Sequence, residues 1–208
     1  MGAITLDPLQ LQVLDALSGM DPPWTLFGAG ALIGFHLGHR TTRDLDLAFR
    51  QRRQLDEIPR DVAARLADRK FEVDRVQTSP SFVRLIVRGA GATIDVDLVA
   101  DPTIPIEPPL EPQPGVFVDT LRELFAQKLC ALLSRTELRD LEDIGAILDE
   151  GVDLERGLAD AASKDGGFSP PTLAWLLGNF PLERAADEGR DRSRLEATRA
   201  KLMDALRS

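Results

Sequence analysis

The chain has 208 residues, 43% of them hydrophobic and 28% charged, with a formal net charge of −9. That is apolar material enough for one real core or two small ones, and the acidic balance argues against an extended, sequence-independent grip on nucleic acid, which needs broad positive surface. No uninterrupted apolar run approaches membrane-spanning length, the N-terminus lacks a signal-peptide pattern, and Cys130 is the single cysteine, so the expected setting is cytosolic and free of intramolecular disulfides.

Taken in chain order, Asp7-Pro8 is an N-cap followed by proline at the first helical position, and the apolar residues from Leu9 to Leu17 predict a helix ending near Gly19. Pro22-Pro23 breaks the chain, and residues 24–27 read as a short buried strand. Gly28-Ala29-Gly30 then turns into an apolar helix over residues 31–37, stopped at Gly38, and a strand carrying Asp44 and Asp46 follows. Ile58, Val62 and Leu66 give residues 55–69 the spacing of an amphipathic helix. Residues 71–76, 81–87 and 93–99 read as three further strands, the last two joined by a hairpin at Gly89-Ala90-Gly91-Ala92. Residues 101–115 hold six prolines and are expected to form a strap or linker, not a sheet interior, because proline removes backbone donors and favours extended chain. Beyond it the composition predicts helices over residues 120–134, 137–149, 154–162, 172–177 and 193–206, so two domains are expected, residues 1–118 and 119–208.

The chemistry lies in two Asp-apolar-Asp triplets, Asp44-Leu45-Asp46 and Asp95-Val96-Asp97. Side chains alternate across a strand, so each aspartate pair shares one face while Leu45, Leu47, Val96 and Leu98 share the other. If the two strands are neighbours, the carboxylates converge, and such a cluster resists ionisation unless a cation such as Mg²⁺ or Mn²⁺ fills it. Asp44 and Asp46 are the first metal ligands expected, Asp97 the third, and Asp95 its alternative or a supporting neighbour. Gly28, Ala29 and Gly30 allow close backbone approach to a triphosphate at a helix start. Arg40, Arg43, Arg50, Arg52 and Arg53 could steer a polyphosphate toward the metal, or lie in a solvated loop. Lys128, surrounded by Leu124, Phe125, Leu129 and Leu132, sits at the edge of a buried face, a setting that suits a phosphate-facing lysine. His36 and His39 have no cysteine partner nearby and fit structural hydrogen bonding or phosphate contact better than zinc.

The stretch FGAGALIGFHLGHRTTRDLDLAF resembles the nucleotidyltransferase toxins of the AbiE abortive-infection type, in which a glycine-rich turn and an H-x-G-H-R stretch precede D-L-D. LRELFAQKLCALLSRTELRDLEDIGAIL resembles the helical region of the same family, and the likeness covers roughly residues 24–150. It implies an α/β (α+β) nucleotidyltransferase-type mixed sheet flanked by helices, with a C-terminal helical region closing over the nucleotide. It further implies metal ligation by Asp44 and Asp46, a phosphate contact from Lys128 and a polar role for Asp140, with Arg135, Arg139 and Asp143 matching the pattern without an assigned role. The activity it implies is Mg²⁺- or Mn²⁺-dependent transfer of a nucleotide from an NTP to an acceptor hydroxyl, in a toxin of a toxin–antitoxin or phage-defence pair. An RNA 3′ end, that of tRNA in particular, is the expected acceptor, a cognate antitoxin the expected protein partner, and no membrane is expected. One departure is Ala29, where the wider superfamily has serine or glycine; alanine keeps the amide but loses a hydroxyl contact to phosphate. Two other readings stay open: nucleotidylation of a small molecule such as an aminoglycoside or of a protein, and a degraded domain that binds nucleotide or a partner without turnover.

Overall fold

The computed structural model describes residues 4–207 and divides into two compact units, Met1–Thr120 and Leu121–Ser208. The first is built on a seven-stranded mixed sheet in the order β3-β4-β5-β2-β1-β7-β6. Its strands are β1 (Thr25–Phe27), β2 (Asp44–Arg50), β3 (Glu72–Thr78), β4 (Phe82–Gly89), β5 (Ala92–Asp101), β6 (Leu110–Gln113) and β7 (Val116–Val118). Two neighbouring pairs are parallel, β2 with β5 and β1 with β7, and the other four are antiparallel.

Strand alternation divides the side chains of this sheet sharply. One face presents Leu26, Leu45, Leu47, Phe49, Val83, Leu85, Val87, Val96, Leu98 and Val118, all buried. Helices α1 (Pro8–Leu17) and α3 (Ile58–Asp68), which touch one another as well as β5 and β3 respectively, add Val13, Leu17, Val62 and Leu66 to this core. Each such side chain contributes about 1.5–3 kcal/mol by leaving water. Helix α1 starts where a capping box forms: the Asp7 carboxylate accepts from the Gln10 amide, and the Gln10 side chain accepts from the Asp7 amide. Buried Trp24 satisfies its indole by donating to the Leu17 carbonyl at 2.8 Å.

The glycine turn is more helical than its composition predicts. Gly28–Ala31 already forms a helical turn, α2, and Leu32–Leu37 continues it as a π-helical turn that ends with the Gly38 amide donating to the Ile33 carbonyl at 3.0 Å. The expected hairpin is present, with Gly89 opposite Ala92 and positive φ at Ala90 and Gly91. The proline-dense stretch differs from the expectation of a plain strap, since its end supplies β6 and leads into β7. Pro112 is tolerated because β6 is an edge strand, whereas β7, which carries no proline, lies inside the sheet beside β1.

The second unit is helical: α4 (Leu121–Ser134), α5 (Leu138–Asp149), α6 (Leu154–Lys164), α7 (Pro170–Gly178) and α8 (Arg192–Ala205), with a 3₁₀ turn over Leu182–Ala185. Leu124, Phe125, Leu129, Leu141, Ile144, Leu173, Leu195 and Leu202 fill its centre. Side-chain caps from Asp153, Ser169 and Asp191 start α6, α7 and α8. Cys130 is half-buried, and burial, aided by the nearby Asp165 charge, pushes its thiol up to about 11. Among the described residues no helix is long and apolar enough to cross a membrane.

Candidate functional site

The other face of the sheet is polar, and both Asp triplets lie on it. Strands β2 and β5 run in parallel register with Asp44 opposite Asp95 and Asp46 opposite Asp97, so the four carboxylates occupy two adjacent rows of one face. Leu45 and Val96 point the other way into the core, and both are fully buried. Like charges directly opposite one another weaken a strand pair, so this arrangement opposes folding and is held by the apolar face behind it.

Beside the row of Asp46 and Asp97 stands the glycine turn. Phe27 is the register partner of Asp46, and Gly28 follows it with φ +62. A Cβ built on Gly28 would overlap Asp46 Oδ2 and lie 3.1 Å from its Cγ, so only glycine lets the backbone approach this carboxylate. Gly30 is similarly close, 3.1 Å by the same construction, to the Asp44 carbonyl. Gly28→Ala is therefore expected to displace the Asp46 side chain and to cost about 1–2 kcal/mol of backbone strain. Transfer activity should fall much further than the melting temperature; a variant with unchanged activity would remove the turn from the site.

Arg84 is the residue that sequence reasoning missed. It stands opposite Asp97 on β4, its Nε and Nη2 donating to Asp97 Oδ1 and Oδ2 at 2.7 and 2.6 Å. This fork raises the guanidinium pKa, chiefly through the hydrogen bonds to Asp97, with the charges of Asp97, Asp95 and Asp44 adding to the effect against some desolvation. The signal was present: a two-residue hairpin loop at Ala90-Gly91 dictates that Arg84 faces Asp97. Of the nominated arginines, Arg43 is exposed and Arg40 half-buried, donating to the Thr41 carbonyl at 3.1 Å. Arg50 lies at the far end of β2 and is held by Asp101 and Asp119, so it is not part of a positive patch at the triplet. His36 sits against the backbone, its Nε2 donating to the Asp119 carbonyl at 2.9 Å, and burial lowers its pKa, which keeps it neutral near pH 7.

In the helical unit Lys128, Asp140 and Asp143 form one buried ion cluster, with the Lys128 ammonium 2.8 Å from Asp140 and 2.7 Å from Asp143. Asp140 also accepts from Arg135 at 2.8 and 3.1 Å. Burial pushes the Asp140 carboxyl up, yet the hydrogen bonds and charges of Arg135 and Lys128 outweigh it and leave its pKa below the ordinary 3.8. Arg139 pairs with Glu137 instead.

Four carboxylates on one face are hard oxygen donors of the kind Mg²⁺ and Mn²⁺ prefer. As the side chains stand, Asp97 is engaged by Arg84, and among the described residues no three acidic, histidine or cysteine side chains are drawn together as a ready set of ligands.

The fold is similar to that of MenT4, a nucleotidyltransferase toxin from Mycobacterium tuberculosis H37Rv, at 17% identity and a TM-score of 0.55, over 96% of this chain and 82% of that one. An antigenic nucleotidyltransferase-like protein from Paracoccidioides brasiliensis aligns at 17% identity and a TM-score of 0.47, over 91% of this chain and 89% of the other. No curated protein matches the sequence. The pattern of the nucleotidyl transferase AbiEii toxin family, a type IV toxin–antitoxin system, matches residues 12–207, so the chain belongs to that family and is a nucleotidyltransferase.

Proposed function

We propose that the protein transfers a nucleoside monophosphate from an NTP to the 3′ hydroxyl of an RNA, with tRNA as the acceptor class, and that this is its action as the toxin of a toxin–antitoxin pair. The observation that carries this reading is the pairing of Asp46 with Asp97 and Asp44 with Asp95 on the polar face, beside a glycine turn that fits against Asp46. Asp44, Asp46 and Asp97 would hold Mg²⁺ or Mn²⁺, with Asp95 as neighbour or substitute ligand. The bound cation would supply charge neutralisation at the α-phosphate and at the departing pyrophosphate.

The acceptor oxygen forms a bond to the α-phosphorus as the bond to the β-phosphate oxygen breaks, pyrophosphate leaves, and the hydroxyl proton passes to a site carboxylate or to water. The amides of Gly28, Ala29 and Gly30 would bind phosphate oxygens, with Arg40 and Arg43 adding positive charge near β2. Arg84 must yield Asp97 when a cation competes for it, which makes it a counter-ion for the resting site. Lys128, whose ammonium is held by Asp140 and Asp143 within the helical unit, is the proposed phosphate contact by the family resemblance alone. A cognate antitoxin is the proposed protein partner.

The test is incubation of the purified protein with each α-labelled NTP and Mg²⁺ in the presence of total RNA, aminoglycosides or the protein alone. Label is expected at RNA 3′ ends. Label confined to an aminoglycoside or a protein would transfer the reading to that acceptor, and NTP binding without any labelling would mark a domain that binds without turnover.

A further inference from the structure

The acidic rows do not end the polar face. The row after Asp97, Asp46 and Phe27 contains Val99, Ala48, Thr25 and Phe117, and the next contains Asp101 and Arg50. Here, within the first unit, a cleft of about 360 Å³ opens, walled by Pro22, Pro23, Pro105, Pro109 and the half-buried ring of Phe117. That volume lies in the range of small-molecule pockets. By strand spacing and rise, Phe117 is roughly 12 Å from Asp46, within the reach of a single nucleotide. Two of the wall residues, Pro105 and Pro109, come from the proline-dense stretch, whose fixed φ angles present a wall with little conformational freedom to lose on binding.

The charges at this cleft decide what it can take. Arg50 is its one cation, and its guanidinium is already matched by two carboxylates, Asp101 and, at 2.6 Å, Asp119. Asp119 is itself fixed, its amide donating to the Leu26 carbonyl at 2.9 Å and its carbonyl accepting from His36. The pair leaves no positive charge for a phosphate. The walls offer rigid apolar surface instead, and buried Thr25 and exposed Gln51 add a hydroxyl and an amide to the lining. Planar, uncharged and polar along its rim is the description of a nucleobase, which stacks on aromatic faces and forms hydrogen bonds at its edges.

We propose that this cleft is a nucleobase pocket, holding the base of a nucleotide whose reacting end lies over Asp44, Asp46 and Asp97. The location of the reacting end rests on the transfer reading above; base binding itself does not. The experiment is equilibrium dialysis of labelled adenosine, guanosine, cytidine, uridine and ribose 5-phosphate against the full chain in EDTA. At least one nucleoside should bind while ribose 5-phosphate does not. Phe117→Leu, which keeps an apolar side chain and removes the flat face, should weaken that binding about tenfold or more. Gln51→Asn, suited to the positive φ of that exposed position, should change the ranking among nucleosides without affecting the fold. Asp46→Asn should leave nucleoside binding unchanged, so the pocket and the transfer reaction can fail separately. In turnover, a raised KM for the NTP in Phe117→Leu assigns the pocket to the incoming base, and a raised KM for RNA assigns it to the acceptor's terminal base. Absence of nucleoside binding, or binding that both pocket variants leave untouched, overturns the proposal.

Discussion

Asp46→Asn is expected to lower nucleotidyl transfer by roughly 10²–10³-fold or more, the scale on which single electrostatic contributors to a transition state act. The change keeps the size of the side chain and removes its charge. It also removes one member of a like-charged row, Asp46 opposite Asp97, so the melting temperature should change far less than the activity. Labelled transfer and a thermal melt on the same preparation separate the two effects. Retention of more than about a tenth of the activity would take Asp46 out of the chemistry, given that the proposed step depends on its charge.

The largest expected loss of stability comes from Lys128→Met. Lys128 is 5% exposed and lies between Asp140 and Asp143, both fully buried, so removing the cation strands carboxylate charge away from water. Breaking a buried pair in this way typically costs about 3–5 kcal/mol. A phosphate contact alone would let this variant fold normally, whereas the buried cluster predicts that the helical unit loosens. The sign of the pH dependence follows from Asp140. Its folded pKa is depressed, so its stabilising contribution is present above the ordinary value of 3.8 and is lost as pH falls through the lower folded value. In Lys128→Met that depression shrinks, and the deficit relative to wild type should be greatest near neutral pH and diminish in acid as Asp140 takes up a proton. Equal melting curves at pH 7 would show that the cluster does not hold the helices.

The residues that could be read from sequence were those whose position depends on local periodicity. Helix α1 followed from Asp7-Pro8, and the placement of Asp44, Asp46, Asp95 and Asp97 on single strand faces followed from alternation alone. What periodicity does not encode is which strands become neighbours. The parallel pairing of β2 with β5 joins segments separated by α3 and two strands, and that crossover, not either triplet, brings the four carboxylates together. The same limitation hid β7 and with it Asp119: a three-residue strand after a run of prolines has little pattern of its own and is held by its pairing with β1. Arg84 is a different case, since equal steps back along both strands from the Ala90-Gly91 loop place it opposite Asp97. Lys128 was singled out for its apolar neighbours, which it has, but a helical pattern on α4 carries no information about the acidic residues that α5 turns toward it.

The π-helical turn over Leu32–Leu37 has a bearing on the length of this segment. A π turn amounts to an α-helical turn with one residue too many, which the chain accommodates by widening its coil. Removing that residue would restore ordinary helical winding and rotate everything beyond it by about 100° relative to the glycine turn. The stretch from Gly38 to Arg43, which feeds β2, would then leave the helix in a different direction although every other residue remained the same. The spacing between the glycine turn and the first aspartate is therefore an angular setting as much as a length.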